Sequence, residues 1–254
     1  MERDIMKKDI KILVAMHKKY WVARDSVYLP IFVGKHGRES DWPCIGDDTG
    51  DNISAKNPYF CELTGLYWAW KNLDCEYIGL VHYRRYFMKR FLGLKLHINR
   101  YHDFAEAMEK ADILLPPISI LPKTVFEQYS EAHHIKDLIE CGNIIDEKYP
   151  EYKKDFDAIM NGNQVYYFNM FCMKKSLCNR YCSWLFGILL ELEKRIDISS
   201  YDAYQKRVFG FLSERLFSVW LHHENLKITS QEVYGIERSG IRRKILWWFQ
   251  RKIY

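Results

Sequence analysis

EYIGLVHYRRYF, residues 76–87, opens as an apolar run and stops abruptly at a polar quartet, His82, Tyr83, Arg84 and Arg85. A short run of this kind reads as a buried strand over 76–81. Polar groups at the carboxyl end of such a strand stand where open α/β sheets take their ligands. Outward from it, DIKILVAM at 9–16 reads as a second buried strand. VYLPIFVG at 27–34 reads as a third, restricted by Pro30 to an edge or an irregular piece. The Gly-, Asp-, Asn- and Pro-rich segment 35–58 is loop, and 59–73 is a helix with Leu63, Leu66, Tyr67 and Trp70 on one face, begun by Asn57-Pro58.

Further along, a helix over 102–110 precedes a strand over 111–115, closed by Pro116-Pro117. Helices are expected at 124–140 and 146–160 with Gly142-Asn143 as the break, then a strand over 164–174, helices over 176–195 and 204–222, and a short strand at 226–229. Strands alternating with helices predict an α/β fold, a mostly parallel mixed sheet layered with helices and a helical C-terminal part. No linker composition divides the chain, so one domain over 1–236 and a tail over 237–254 are expected.

Composition bounds the function. The 254 residues are 48% hydrophobic and 28% charged, which excludes general disorder. The aromatic content of 16% suits stacking on sugars or nucleotide bases, and equally an aromatic core. Seven cysteines without a zinc-type pair read as reduced thiols. The opening MERDIMKKDIKILVAM lacks a secretory pattern and no long apolar stretch occurs, so a cytoplasmic location is expected. The net charge is +5, and residues 237–254 carry six basic residues against one acid. The remainder is therefore near neutral, which argues against nucleic acid as a partner. In the tail, Ile241, Ile245, Trp248, Phe249 and Lys252 fall in helical register. That pattern fits an interfacial helix on an anionic membrane, with a core-docking terminal helix as the competing reading.

Six longer strings carry a resemblance: DDTGDNIS at 47–54, KNPYFCELTGLYWAWKN at 56–72, YIGLVHYRRYF at 77–87, ADILLPP at 111–117, YFNMFCMKK at 167–175 and RVFGFLSERL at 207–216. Together they resemble a bacterial glycosyltransferase family first catalogued as domain of unknown function 4422, over roughly Ile10 to Val233. The resemblance implies a GT-A-like nucleotide-sugar-binding domain acting in capsule, exopolysaccharide or O-antigen synthesis. It further implies galactose, as pyranose or furanose from UDP, as the transferred sugar. The acceptor would be a lipid-linked saccharide at the inner face of the plasma membrane.

GT-A enzymes usually hold a divalent metal on an Asp-x-Asp motif. Here the strand end offers Arg84 and Arg85, whose guanidinium donors suit phosphate oxygens, with His82 as a further donor or relay and Tyr83 beside them. No metal cofactor is therefore expected, manganese or magnesium being the alternative; a surface turn with a chance arginine pair is the competing reading. His17 and Lys18 end the first strand, where base or ribose is met, or form part of a solvated lysine run. Asp51, Asn52 and Ser54 lie in a loop that lacks the closing Glu of a calcium-binding EF-hand. They either bond donor hydroxyls or merely cap the helix near Asn57.

For the catalytic base, Glu214 stands among apolar residues on a helix beside Arg215 and Arg207, a structural salt bridge being the rival reading. Glu62 and Asp112 are weaker candidates. Asp112, also assigned to the donor side, begins a strand and equally suits a bond to a backbone amide. His133 is a second catalytic candidate, four residues after Tyr129 and on its face, whereas adjacent His134 points elsewhere. Tyr129 and Asn169 are assigned to the acceptor. The missing Asp-x-Asp keeps a non-catalytic nucleotide- or carbohydrate-binding module as the alternative function.

Overall fold

The computed structural model describes residues 8–42, 44–91 and 95–236. The tail and the interfacial helix expected in it lie outside the described residues. The chain begins with strands β1 (Ile10–Met16), β2 (Tyr28–Phe32) and the short β3 (Ile45–Gly46), then helices α1 (Asn57–Phe60) and α2 (Leu63–Asn72). Strands β4 (Tyr77–His82), β5 (Arg85–Phe91) and β6 (Lys95–Ile98) lead to α3 (Tyr101–Lys110), β7 (Ile113–Leu115) and β8 (Ser119–Ile120). Helices α4 (Val125–Ala132), α5 (Ile135–Lys148) and α6 (Lys153–Asn161) precede β9 (Gln164–Val165) and β10 (Phe171–Lys174). Helices α7 (Lys175–Arg195) and α8 (Val208–Glu224) and strands β11 (Ile228–Ser230) and β12 (Glu232–Gly235) complete the order.

The central sheet runs β11-β7-β10-β4-β1-β2-β3, parallel at every step except where antiparallel β10 enters between β7 and β4. This is the α/β fold with a mostly parallel mixed sheet that the alternating pattern predicts. Ile10, Ile12, Val14 and Met16 of β1 face the layer that holds Phe104 and Met108 of α3, whereas Leu13 and Ala15 face the layer of α2, α7 and α8. With both faces covered, the strand has no reason to alternate polar and apolar residues, and it reads as one apolar run.

Four expectations are corrected. First, β2 lies between β1 and β3 despite Pro30. The N–H of Val33 bonds β1 at Met16 O, and Phe32 O accepts from Asp47 N beyond β3. Pro30 therefore turns its nitrogen to the β3 side, where pairing involves only Ile31 and Phe32, and no ladder bond is lost. Second, the expected helix over 124–140 breaks at His133 and His134, both extended, and α5 runs unbroken through Gly142. A Cβ at Gly142 would meet Phe156 at 3.0 Å, so this glycine admits α6 rather than ending a helix. Third, the polar quartet stands at the carboxyl end of β4 as expected but also forms the hairpin into a further strand: His82 pairs with Arg85 across Tyr83 and Arg84, and the chain returns as β5 against β6 and β12. Fourth, the expected strand over 164–174 is split between β9 and β10 by a corner at Phe168 (φ 79°) and Asn169 (φ 50°).

Candidate active site

A cavity of about 950 Å³ opens at the carboxyl ends of β4 and β7. Its walls are the α1–α2 junction (Cys61, Glu62), the hairpin turn (Arg84, Arg85), the segment Pro116–Ile120, and the end of α4 with His133. The Tyr167–Phe168 corner, the start of α8 from Arg207 to Arg215, and β12 close it.

The corner organises the site. Left-handed backbone costs a non-glycine residue about 1–2 kcal/mol, so two in succession must be held from outside. Glu214 Oε1 accepts from Phe168 N–H at 2.8 Å. His82 Nε2 donates to Phe168 O at 2.6 Å, which fixes its tautomer because a carbonyl only accepts. Burial lowers the His82 pKa, so the ring is a neutral donor. Asn169 Nδ2 reaches Glu62 Oε1 at 2.8 Å and Ser213 Oγ at 2.9 Å. The guanidinium of Arg85 lies 4.5 Å over the Phe168 ring. One strained corner thus fixes two cavity carboxylates, Glu62 and Glu214, and joins them to the hairpin.

Glu214 pairs through Oε2 with Arg215 Nη1 at 3.0 Å. Burial pushes its pKa up, against the pull of Arg215 and the Phe168 amide, and the charge of Glu62 pushes it further. Arg215 has only 3% of its side chain exposed. It bonds Phe211 O and Gln128 Oε1 and lies over the Tyr129 and Tyr167 rings, so it is a structural cation. Arg207 donates from Nε to Cys61 Sγ at 3.2 Å. Cys61 is itself left-handed (φ 52°), and burial raises its thiol to about 11. Gly210 permits this contact, since a Cβ there would stand 3.2 Å from the sulfur.

Arg84, Arg85 and Arg207 bring positive charge to the cavity wall. His17 stands beside them at the end of β1: burial first, then Arg84, Lys18, Arg38 and Arg207, lower its pKa. Its ring meets Tyr83 edge-on at 5.1 Å, and Tyr83 Oη is 3.4 Å from His17 Nε2. His17, Lys18, Arg38, His82 and Tyr83 are not in the cavity lining but adjoin Arg84 and Arg85 at its edge, where the four cations around the His17 ring suit an anion such as a diphosphate.

The remaining assignments fall elsewhere. Asp51 bonds Tyr67 Oη, and its amide bonds Asn72 Oδ1, along α2 and outside the cavity lining. Asn52 closes its own turn on Gly50 O and Ser54 N, and Ser54 Oγ bonds buried Asp47. Asp112 precedes β7, at the opposite end of the sheet from the cavity, where Oδ2 accepts from Lys227 N at 2.9 Å; it is the backbone-bonding residue of the rival reading. Tyr129 is fully buried beneath His133, with ring centroids 4.9 Å apart, and Asn169 is 2% exposed. Neither can touch an acceptor; they support His133 and Glu62 instead. Sequence reasoning passed over Cys61, Gln128, Tyr204 and Phe211 and underrated Glu62. The only signal for these lay in the strings around them, since no periodicity marks them.

The carboxylates fit a divalent ion poorly. Glu62 and Glu214 each spend an oxygen on the corner, Glu214 spends the other on Arg215, and three further arginines line the wall. Among the described residues one group has metal-ligand spacing, His97, His102 and Asp103. It lies beside Lys89, four residues along β5 from Arg85 and about 13 Å off. There Asp103 already accepts from Arg100 N–H and stands 3.7 Å from Lys89 Nζ.

Comparison with known proteins adds three findings. A family profile described as domain of unknown function (DUF4422) matches residues 11–225. No curated protein matches the chain by sequence. A solved structure described as the WbbM bifunctional glycosyltransferase in its apo form superposes with a TM-score of 0.83 at 32% identity. The match covers 90% of this chain and 45% of that one, so the chain spans less than half the length of WbbM.

Proposed function

The chain belongs to the family described as domain of unknown function DUF4422, and on that premise we propose that it is a glycosyltransferase carrying a sugar from a nucleotide-sugar donor to a saccharide hydroxyl. The observation that carries this reading is the pairing, in one cavity at the carboxyl end of the sheet, of an arginine rim with a largely buried carboxylate, Glu214, whose pKa is raised and whose side chain remains 18% exposed. The similarity to a bifunctional glycosyltransferase supports it.

In this mechanism Arg84 and Arg85 hold the diphosphate and neutralise the charge that grows on it as the glycosidic bond breaks, the role usually given to a metal. His17, Lys18 and Tyr83 border the nucleotide. Glu214 takes the proton from the attacking hydroxyl, because a carboxylate whose pKa is raised by burial is a stronger base than an exposed one. Glu62, anchored by Asn169, faces the same space. The donor is read as UDP-galactose, in pyranose or furanose form, and the acceptor as a lipid-linked saccharide of a surface polysaccharide, following the family resemblance. No helix among the described residues is long and apolar enough to cross a membrane. Residues 237–254 would bring the enzyme to the inner face of an anionic membrane.

The test is release of UDP from UDP-galactose by the full chain with bacterial membranes as acceptor source, with and without EDTA. Turnover that persists in EDTA is expected. Loss on chelation with recovery on manganese overturns the metal-free mechanism. Binding of UDP-, GDP-, CMP- or dTDP-sugars without turnover of any overturns the enzyme.

A further inference from the structure

One part of the cavity wall is unused by this mechanism: the cluster of His133, Tyr204 and Phe211. The His133 and Phe211 rings stack at 4.1 Å and 21°, Tyr204 stands 5.0 Å from Phe211, and Tyr204 lies within 24° of the His133 plane at 6.0 Å. Tyr204 is 54% exposed although it lines the cavity. Its backbone is pinned, since Asp202 Oδ1 accepts from the N–H groups of both Tyr204 and Gln205. An exposed aromatic ring on a pinned backbone, packed against Phe211 at a cavity wall, offers stacking area with only its own side-chain angles left to order.

The hydrogen bonding around His133 is equally defined. Gln205 Nε2 donates to Ala132 O at 2.9 Å, which turns its carbonyl oxygen to His133 Nδ1 at 3.1 Å. Nδ1 must then carry the proton and Nε2 the lone pair. Burial lowers the ring's pKa to about 4, so it remains neutral across the working range. The wall thus combines a flat apolar face with a fixed hydrogen-bond acceptor and the amide of Gln128.

We infer that this wall is a saccharide subsite: Tyr204 stacks on the C–H face of a sugar ring of the acceptor, and His133 Nε2 accepts from one of its hydroxyls. A sugar ring has one apolar face and a hydroxyl rim, which matches this pairing. An alkyl chain would use Ile118 and Ile120 nearby and leave the imidazole acceptor unpaired. That the bound sugar belongs to the acceptor rests on the transferase reading, whereas the binding chemistry stands independently of it.

The experiment is saturation-transfer NMR on the full chain with methyl β-galactopyranoside, methyl α-mannopyranoside, methyl β-glucopyranoside and octyl β-glucopyranoside as probes. Saturation of ring C–H protons is expected for at least one methyl glycoside. It should fall about fivefold or more in Tyr204→Ala and survive in Tyr204→Phe, which keeps the ring. Melting of both variants at the wild-type temperature shows that they are folded, as the exposure of Tyr204 predicts. No ring signal from any probe, a ring signal indifferent to Tyr204→Ala, or saturation confined to the octyl chain overturns the subsite. UDP, GDP, CMP and dTDP titrated into the wild-type chain test the transferase reading separately: absence of binding by all four with a Tyr204-dependent ring signal overturns that reading and leaves the subsite standing.

Discussion

Replacing Glu214 by Gln separates proton transfer from scaffolding, because the amide keeps an oxygen for the Phe168 N–H while giving up charge and basicity. Arg215 loses a charged partner but retains Phe211 O, Gln128 Oε1 and two aromatic rings. A hydrogen bond to a charged group is worth about 1.5–3 kcal/mol. Relief of the burial that penalises the Glu214 carboxylate offsets part of this, leaving a net loss of about 1 kcal/mol, or about 2–4 °C in Tm. Turnover should fall about 10²–10⁴-fold, equivalent to about 3–5 kcal/mol in the barrier. Glu214→Ala should lose turnover similarly but about 3–5 kcal/mol of stability, since it strands buried Arg215 and releases the left-handed corner. Initial rates of UDP release and calorimetric Tm, measured on both variants, give the two numbers. Transfer by Glu214→Gln within about threefold of wild type would refute the base and pass the role to Glu62. The pH dependence carries a sign as well. With the folded pKa raised above its usual 4.5, the ionised base appears later, so kcat/KM should rise with pH through that higher value, and Glu214→Gln should remove this limb. Because the native state holds the proton more tightly, this group's stability contribution is full at low pH and is lost as pH rises through the folded pKa; the variant should lack that loss as well.

The double substitution Arg84→Ala, Arg85→Ala should cost about 2–4 kcal/mol of transition-state stabilisation for each lost donor, read as kcat with UDP-galactose, and a fully active double variant rejects the arginine rim. Gly79→Ala in β4 should destabilise by about 2–3 kcal/mol, because its Cβ would lie 2.7 Å from Phe171 O, a backbone atom of the paired strand, and 2.5 Å from Ile12 Cδ1. An unchanged Tm contradicts that packing. The full chain should sediment with anionic liposomes and release as salt rises, at about 1 kcal/mol per basic residue near the surface. Removal of the residues after Ser239 should abolish sedimentation without lowering Tm; unfolding of the shortened chain would instead make the tail part of the core.

Much of the fold was legible because its elements announce themselves locally. The runs at 9–16, 76–81 and 111–115 are short, rich in Ile, Leu and Val, and read as strands by length and composition. The stretch 176–195 has the length and periodicity of one helix. Two placements were legible for the same reason, since a polar quartet ending a strand and a carboxylate among apolar helix residues bring Arg84, Arg85 and Glu214 to the cavity wall. What the sequence did not determine is where each element's ends lie in space. Asp112 and Arg84 both adjoin strands, but Asp112 precedes the first residue of β7 whereas Arg84 follows the last of β4, and so the two occupy opposite ends of the sheet. Pro30 is admitted to an inner strand because the neighbour on its nitrogen side is only two residues long. The left-handed corner at Phe168 and Asn169, which fixes both carboxylates, has no local cause. Isolated Phe and Asn prefer other backbone angles, and it is Glu214, 46 residues later, and His82, 86 earlier, that hold Phe168 there. Local patterns decide which elements form; bonds between residues far apart in the chain decide which side chains meet, and that meeting is the site.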